Sequence, residues 1–189
     1  MDNITISHIL KKIIKKNDNY LGIFTPSQLN HISIDKYKCL ILILFIPNIS
    51  KNYGHWTTIV KIRNKFYFLD SFGLKPKLYH IYFKNMFKTK KIYDFYYLNL
   101  QIQSKYTTTC GAYVIFFIQT IILCKYNISC FKKKITNHLK HKKKLKNDHF
   151  IVQYMYNHFK NSLSINCEKL FCNSNFIINR GLCVESLCK

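Results

Sequence analysis

Cys110 stands where a long apolar segment begins, and this position gives its thiol a chemical use. The segment 113–123 is apolar on all sides apart from Gln119 and Thr120, which is typical of a helix buried in the middle of a fold. A cysteine at the start of such a helix faces unpaired backbone N–H groups and the positive end of the helix macrodipole, which favour the thiolate. Because the thiolate is the nucleophilic form, we interpret Cys110 as a candidate nucleophile, with Gly111 leaving room for a substrate backbone.

His55 and Asp70 stand at the outer ends of two segments, 56–62 and 66–69, that predict an antiparallel hairpin. Pairing brings these ends together, so the imidazole could take the proton of the thiol while the carboxylate holds the other ring nitrogen. A turn centred near Asn64 offsets the two residues by about three positions, roughly 10 Å along the ladder. The arrangement therefore requires either that His55 precede the regular pairing or that a β-bulge lie between the strands.

Gln103 lies in the segment that leads to the candidate nucleophile. Together with the backbone N–H of Cys110, its amide N–H₂ would supply two donors to a developing oxyanion. Trp56, beside His55, either floors the substrate groove or is a core aromatic residue. Each of these residues also fits a structural role when taken alone, since cysteine, for example, is commonly a small buried residue. The catalytic interpretation depends on their combination and on their order along the chain.

In this order, the segments resemble the cysteine proteases that include the adenovirus maturation protease and the Ulp1-like proteases of SUMO. Residues 54–56 (Gly-His-Trp) are similar to the His-Trp motif of that family. Residues 68–73 are similar to its apolar strand that ends in an acid and a Phe-Gly turn. Gln103 precedes Cys110 at the spacing of the adenoviral branch. The resemblance covers roughly residues 20–125 and implies a catalytic triad of cysteine, histidine and aspartate.

Two further stretches bear on the resemblance to the adenoviral branch. Residues 20–24 resemble its N-terminal Phe-Leu-Gly segment, and Gly22 is accordingly assigned to the substrate groove with Trp56 and Gly111. The stretch 90–97 contains no cysteine, whereas the adenoviral enzyme has a cysteine there that pairs with an activating peptide. A non-covalently bound activating peptide therefore stays open as a stimulator of this chain.

The resemblance also implies a fold, an activity and partners. The fold class is α+β, with a mixed, mainly antiparallel central sheet, a buried helix that starts at the nucleophile, and helices on both sides. The implied function is a viral or virus-derived endopeptidase that cleaves capsid and core precursor proteins during virion maturation, in the virion and host nucleus. No cofactor is required for the chemistry, and DNA is the expected stimulating polyanion. Two alternatives stay open: a Ulp1-like protease that removes ubiquitin-like modifiers, and a non-catalytic basic DNA-binding protein on a decayed protease fold.

The sequence as a whole predicts one protease domain, residues 1–160, followed by a cysteine-bearing tail, residues 161–189. Apolar residues at helical spacing predict an amphipathic N-terminal helix over 3–16, and the unbroken apolar run 39–46 predicts a strand buried on both faces. The other expected elements are a helix at 77–87, a strand within 92–103 and a helix at 150–159. The absence of internal repeats and of Pro/Gly linkers argues against a second full domain.

The charge of the chain predicts attraction to polyanions. Lys and Arg number 30 against 8 acidic residues, which gives a formal net charge of +22. Lysines that contact phosphates bind DNA without sequence preference and in a salt-sensitive way. The candidate DNA-binding residues are Lys11, Lys12, Lys15, Lys16, Lys132, Lys133, Lys134, Lys142, Lys143 and Lys144. The alternative is a solvated face in a sequence whose lysines reflect A/T-rich codons.

The cysteines and the apolar segments bear on the environment of the protein. With no signal peptide recognised, the eight cysteines are expected to be reduced thiols, metal ligands or a nucleophile rather than a disulfide framework. Cys167, Cys172, Cys183 and Cys188 form two C-x4-C pairs, which are either unligated or hold a structural zinc; no metal is assigned. The apolar runs are too short to span a bilayer, so we expect an intracellular, non-secreted monomer without membrane association.

Overall fold

Five strands form one mixed sheet in the computed structural model, which describes residues 3–14, 20–34, 37–47, 54–79, 95–140 and 143–159. The strands are β1 (Tyr20–Phe24), β2 (Cys39–Pro47), β3 (Gly54–Ile62), β4 (Lys65–Leu69) and β5 (Phe95–Tyr97). They lie side by side in the order of the sequence. The central strands β2, β3 and β4 pair antiparallel, whereas the edge strands β1 and β5 pair parallel to their neighbours. The predicted mixed sheet is confirmed.

Strand β2 is buried on both faces of the sheet, as its unbroken apolar run predicts. Successive side chains of a strand point to opposite faces. Accordingly, Ile41 and Ile43 belong to one hydrophobic cluster, while Leu40, Leu42 and Leu44 belong to a second one on the other face. An alternating polar pattern would have left one of these faces in water.

Four described helices pack on the first of these clusters. They are α1 (Asn3–Ile13), α2 (Cys110–Leu123), α3 (Ile128–His138) and α4 (Lys144–Phe159). In the described residues, the other face is covered by the 3-10 turns Gln28–His31 and Pro76–Tyr79 and by the adjoining loops. The expected helices on both sides of the sheet are therefore not found among the described residues. The predicted helix at 77–87 is a 3-10 turn as far as Tyr79, and its remaining residues lie outside the described part of the chain.

Helix α2 occupies the centre of the molecule. Its residues 110–118, 120 and 121 are buried, since α1, α3 and α4 surround it on one side and β3 lies on the other. The expectation of a helix buried all round is confirmed, and the helix begins three residues earlier than the apolar run, so that Cys110 is in its first turn.

The Lys-rich segment after α2 belongs to the same core. Phe131 and Ile135 are 1% and 0% exposed, while the lysines beside them on α3 face solvent. Helix α4 starts at Lys144 rather than at residue 150, because its first turns bury Asn147 and Asp148 in addition to apolar side chains. None of the described helices has the length and hydrophobicity that spanning a bilayer requires. The tail 161–189, with its four cysteines, lies outside the described residues.

One expectation about the cysteines is wrong. Cys124 and Cys130 form a disulfide, with their Cα atoms 5.8 Å apart. The two residues flank the tight reversal between α2 and α3, which brings them within the usual Cα separation for such a bond. Among the described residues, Cys39 and Cys110 are free thiols.

Candidate active site

The register of the β3–β4 hairpin determines where His55 and Asp70 lie. The turn is a tight one at Arg63–Asn64, and the ladder with β4 ends at the pair Thr58–Leu69. His55 lies beyond this ladder, where β3 pairs only with β2. Continuing the register places Asp70 two positions, rather than three, from the point opposite His55, which is within reach of a diagonal cross-strand contact. His55 therefore precedes the regular pairing with β4, and the ladder between β3 and β4 has no β-bulge.

The chain turns sharply after β4, and this turn directs the acid toward the imidazole. The N–H of Gly73 donates to the C=O of Asp70 at 3.0 Å, and the ring of Phe72 stacks on His55 at 4.7 Å. Gly73 has a φ of +69°, and a Cβ at this position would lie 2.6 Å from the backbone carbon of Leu100. Only glycine combines this conformation with so close an approach of the neighbouring loop.

Asp70 is 1% exposed and its carboxylate is surrounded by donors. Oδ1 accepts from Nε2 of His55 at 2.9 Å and from the N–H of Phe72 at 2.8 Å, and Oδ2 accepts from the hydroxyl of Tyr79 at 2.8 Å. Burial and the negative charge of Asp70 both raise the pKa of Tyr79, so this phenol stays a donor. The carboxylate therefore holds the imidazole in a defined orientation.

Cys110 lies against the other side of the imidazole. Because Nε2 of His55 is bonded to Asp70, Nδ1 is the ring nitrogen left for the sulfur. Burial alone would raise the pKa of the Cys110 thiol, but hydrogen bonds from His55 and from the backbone N–H of Trp56, with the positive charge of His55, lower it. The sulfur therefore favours the thiolate, as expected for a nucleophile.

The pKa of the His55 imidazole is shifted in the opposite direction to that of the Cys110 thiol. Burial alone would lower the pKa of His55, but the hydrogen bonds and negative charges of Asp70 and Cys110 raise it to about 9. The two shifts describe one coupled thiolate–imidazolium pair. The structure thus brings together His55, Asp70 and Cys110 in the order acid, imidazole, sulfur, an arrangement that can attack a carbonyl carbon and then protonate the leaving group.

Gln103 lies next to this cluster in a loop that is tied to the hairpin. The backbone N–H groups of Ile102 and Gln103 both donate to the C=O of Ser71 at 3.0 Å. The hydroxyl of Ser71 donates to Oε1 of Gln103, and Nε2 of Gln103 donates to the C=O of Thr107 at 2.9 Å. An amide nitrogen carries a second hydrogen, so Gln103 keeps donor capacity. Its side chain is fully buried, and its role toward an oxyanion stays a prediction.

The three groove residues occupy different places. The ring of Trp56 is 5% exposed and packs on Phe45 at 4.7 Å, so its side chain is a core aromatic, while its backbone contacts the sulfur. Gly111 follows Cys110 in the first turn of α2. Gly22 is different: it lies on β1, two strands away from β3, and pairs with Leu42 of β2.

The strand register gives the position of Gly22 relative to His55. The register places it level with Ile59, four residues from His55 along β3. These offsets amount to about 13 Å along the strands and about 10 Å across them. The parallel pairing of β1 with β2 thus places Gly22 beyond direct contact with His55, and its assignment to the substrate groove stays a prediction.

The candidate DNA-binding lysines are only partly described. Lys11 and Lys12 are exposed on α1, and Lys132, Lys133 and Lys134 are exposed on α3. Lys143 is exposed and Lys144 is half-buried at the start of α4, whereas Lys15, Lys16 and Lys142 lie outside the described residues. An exposed position fits both phosphate contact and a solvated face, so DNA binding stays a prediction.

Sequence reasoning missed Asn147 and Asp148 on α4. The Asn147 amide donates to the C=O of Ile102 at 2.9 Å, and Asp148 accepts from the loop between Gln103 and Cys110. The available signal was an acidic residue, one of 8 in the chain, within a segment otherwise rich in lysine. Periodicity alone does not indicate which element a buried carboxylate meets.

Comparisons with known proteins add a structural similarity. Scans against protein-family models and against curated proteins find no match to this chain. A solved structure described as the crystal structure of the de-sumoylating protease is similar, with a TM-score of 0.40 and 14% sequence identity, over 89% of this chain and 83% of that one. The chemistry inferred for this chain therefore depends on its own side-chain geometry.

Proposed function

We propose that this chain is a cysteine endopeptidase. The observation that carries the proposal is the 2.9 Å bond between His55 and Asp70, with Cys110 close enough to the same imidazole for each group to shift the pKa of the other. Buried cysteines in a core meet apolar neighbours, whereas this sulfur has an imidazole, a backbone N–H and a helix N-terminus around it. This environment favours the nucleophilic thiolate form.

The reaction follows from these contacts. The Cys110 thiolate forms a bond to the scissile carbonyl carbon, and the π electrons move to the oxygen. The N–H of Cys110 and the amide of Gln103 would donate hydrogen bonds to this oxyanion. When the intermediate collapses, the C–N bond breaks and the amine leaves with a proton from His55. Water, deprotonated by the now neutral imidazole, then attacks the thioester and regenerates the thiolate.

The proposed substrates are capsid and core precursor polypeptides of a virus, with DNA and a non-covalent activating peptide as stimulators. The order and spacing of the His55, Asp70, Gln103 and Cys110 segments support the adenoviral type of protease. The net charge of +22 and the exposed lysines of α1 and α3 support a polyanion partner. On this proposal the protein acts as a monomer in the virion and host nucleus, without a membrane or a cofactor in the chemical step.

The test is a cleavage assay on three substrate sets. The purified protein is incubated with a proteome-derived peptide library, with adenoviral-type capsid precursors and, separately, with SUMO conjugates. We expect cleavage of peptide bonds in the first two sets, which mass spectrometry of the new termini measures. Release of SUMO alone would replace the maturation substrate with a ubiquitin-like one while keeping the chemistry.

Two cysteine variants make the assay specific. Cys110→Ala should abolish cleavage, whereas Cys39→Ala, which removes the other free thiol of the described residues, should retain it. A Cys110→Ala variant that cleaves as fast as the parent would overturn the proposal. Failure of the parent to cleave any of the three sets would favour the non-catalytic DNA-binding alternative.

A further inference from the structure

Asp148 is a buried carboxylate for which the reaction has no direct use. It is 2% exposed, on the first turns of α4, in a chain with only 8 acidic residues. An ionised group is costly to bury unless hydrogen bonds replace its water. Burial raises the pKa of Asp148, while bonds from Tyr113, Ser104, Thr107 and Thr109 act in the opposite direction. All four donors come from the chain segment that carries the nucleophile.

One set of contacts leads from Asp148 to Gln103. Oδ2 of Asp148 lies 3.1 Å from the N–H of Ser104 and 3.1 Å from the hydroxyl of Thr107. The C=O of Thr107 in turn accepts from Nε2 of Gln103 at 2.9 Å. The carboxylate therefore holds the residue that orients the Gln103 amide, although it does not touch that amide itself.

A second set leads from Asp148 to Cys110. Oδ1 lies 3.2 Å from the hydroxyl of Thr109 and 2.9 Å from that of Tyr113. Thr109 is the N-cap residue of α2, and its hydroxyl contacts Asp148 instead of capping the helix. Tyr113 is one turn further along. The two contacts bracket Cys110 and hold the helix end from which its backbone N–H projects.

We propose that Asp148 is a positioning residue that sets both donors of the oxyanion hole, the Gln103 amide and the Cys110 N–H, from behind the active site. This inference rests on the proposed function for its catalytic meaning. A single carboxylate acts on both donors indirectly, because its two oxygens bond to opposite ends of the loop 104–109 that joins them. Apolar packing alone would not fix the direction of an amide and a backbone N–H together.

The experiment compares two reactions of the same sulfur. Alkylation by iodoacetamide is a direct displacement, in which no oxyanion forms, so its rate reports only the thiolate. Acetylation by p-nitrophenyl acetate passes through a tetrahedral oxyanion and releases p-nitrophenolate, so its rate also reports the oxyanion donors. The rates of the Cys110→Ala protein are subtracted, so that both values report the reaction at Cys110 alone. Neither measurement requires knowledge of the natural substrate.

Asp148→Asn should slow acetylation by about 10-fold to 100-fold, as expected when reacting groups are misplaced by a fraction of an ångström to an ångström. Alkylation should stay within about twofold, because the Cys110–His55 pair makes no direct bond to Asp148. The packing control is Ile151→Ala on the same helix, which removes a fully buried apolar side chain and should leave the ratio of the two rates unchanged.

A second variant pair guards against misfolding of the Asp148→Asn protein. Thr107→Val removes one hydroxyl at constant shape and should lower the acetylation rate alone, whereas Thr107→Ser should restore it. Equal losses in both reactions, or no loss in either, would overturn the inference. If the parent reacts at Cys110 with both reagents but cleaves no peptide, the proposed function fails while the role of Asp148 is still measured.

Discussion

The candidate active site joins two parts of the chain that are held by different kinds of contact. The hairpin part, with His55 and Asp70, is placed by the backbone ladder of β3 and β4, and the two residues are 15 positions apart. The loop and helix part, residues 102–113, is held by side-chain bonds to Asp148 across 35 to 44 positions. A backbone ladder survives most side-chain substitutions, whereas the second part depends on the side chains of Ser71, Asn147 and Asp148. The oxyanion side of the site is therefore the side that a distant substitution can damage.

The largest effect is expected in the hairpin part, from His55→Ala. Loss of the imidazole removes the base and raises the pKa of the Cys110 thiol, since His55 supplies a hydrogen bond and a positive charge to it. We expect cleavage to fall by roughly 10³-fold or more. Steady-state kinetics measure this loss, and the alkylation rate at pH 6–7 should fall with it. His31→Ala, an exposed histidine, is the control, and an equal loss there would contradict the assignment.

Asp70→Asn should have the next largest effect and should change the pH profile. The thiolate–imidazolium pair exists above the lowered pKa of Cys110 and below the pKa of His55, which is about 9. Removing the Asp70 charge lowers the pKa of His55, so the alkaline limb of the profile should move to lower pH. We expect a loss of roughly 10²-fold to 10⁴-fold at pH 7. An alkaline limb that stays near pH 9 would show that Asp70 does not support the imidazolium.

Gly73→Ala should damage the junction of the two parts. The residue has a φ of +69°, and its new Cβ would meet the backbone of Leu100 and Gln101. We expect a loss of about 1–3 kcal/mol in the free energy of unfolding, and a lower kcat. Chemical denaturation and steady-state kinetics measure the two effects.

Gly22→Ala is the matched control for that junction. Gly22 also has a positive φ, +132°, but a Cβ there would meet only the side chain of Phe24 at 3.3 Å. We expect this variant to lose stability while the folded fraction keeps its kcat, because β1 lies away from the catalytic residues. A kcat reduced as much as that of Gly73→Ala would support the assignment of Gly22 to the substrate groove.

The smallest effect on the chemistry is expected outside both parts. Replacing Lys132, Lys133 and Lys134 with Ala should leave the rate without DNA unchanged, because these side chains face solvent on α3. If they contact phosphates, the slope of log K against log salt for DNA binding should decrease by about 0.9 per lysine. The control removes the same charge at Lys65, Lys75 and Lys77. Equal slopes for both triple variants would indicate a net-charge effect without a defined surface.

Several features of the site could be predicted because they depend on neighbours in the sequence. The hairpin with its acid and histidine, and the helix that begins at Cys110, follow from apolar runs bounded by turn residues. The predicted offset of three residues was wrong by one, since it depends on the exact turn, which a run of polar residues does not specify. For Trp56, likewise, the residue pattern did not distinguish a position in the floor of the substrate groove from one in the hydrophobic core.

Strands β2, β3 and β4, helix α2, the order of the candidate catalytic residues and the excess of positive charge follow from the residues alone, because each is a local or additive property. Long-range packing, in contrast, establishes that Asp148 contacts the loop before Cys110, that Gly22 lies two strands from His55 and that Cys124 pairs with Cys130. These outcomes depend on strand register and on contacts between segments far apart in the chain. Many alternative pairings satisfy the same periodicity, and only close packing of the complete fold selects one of them.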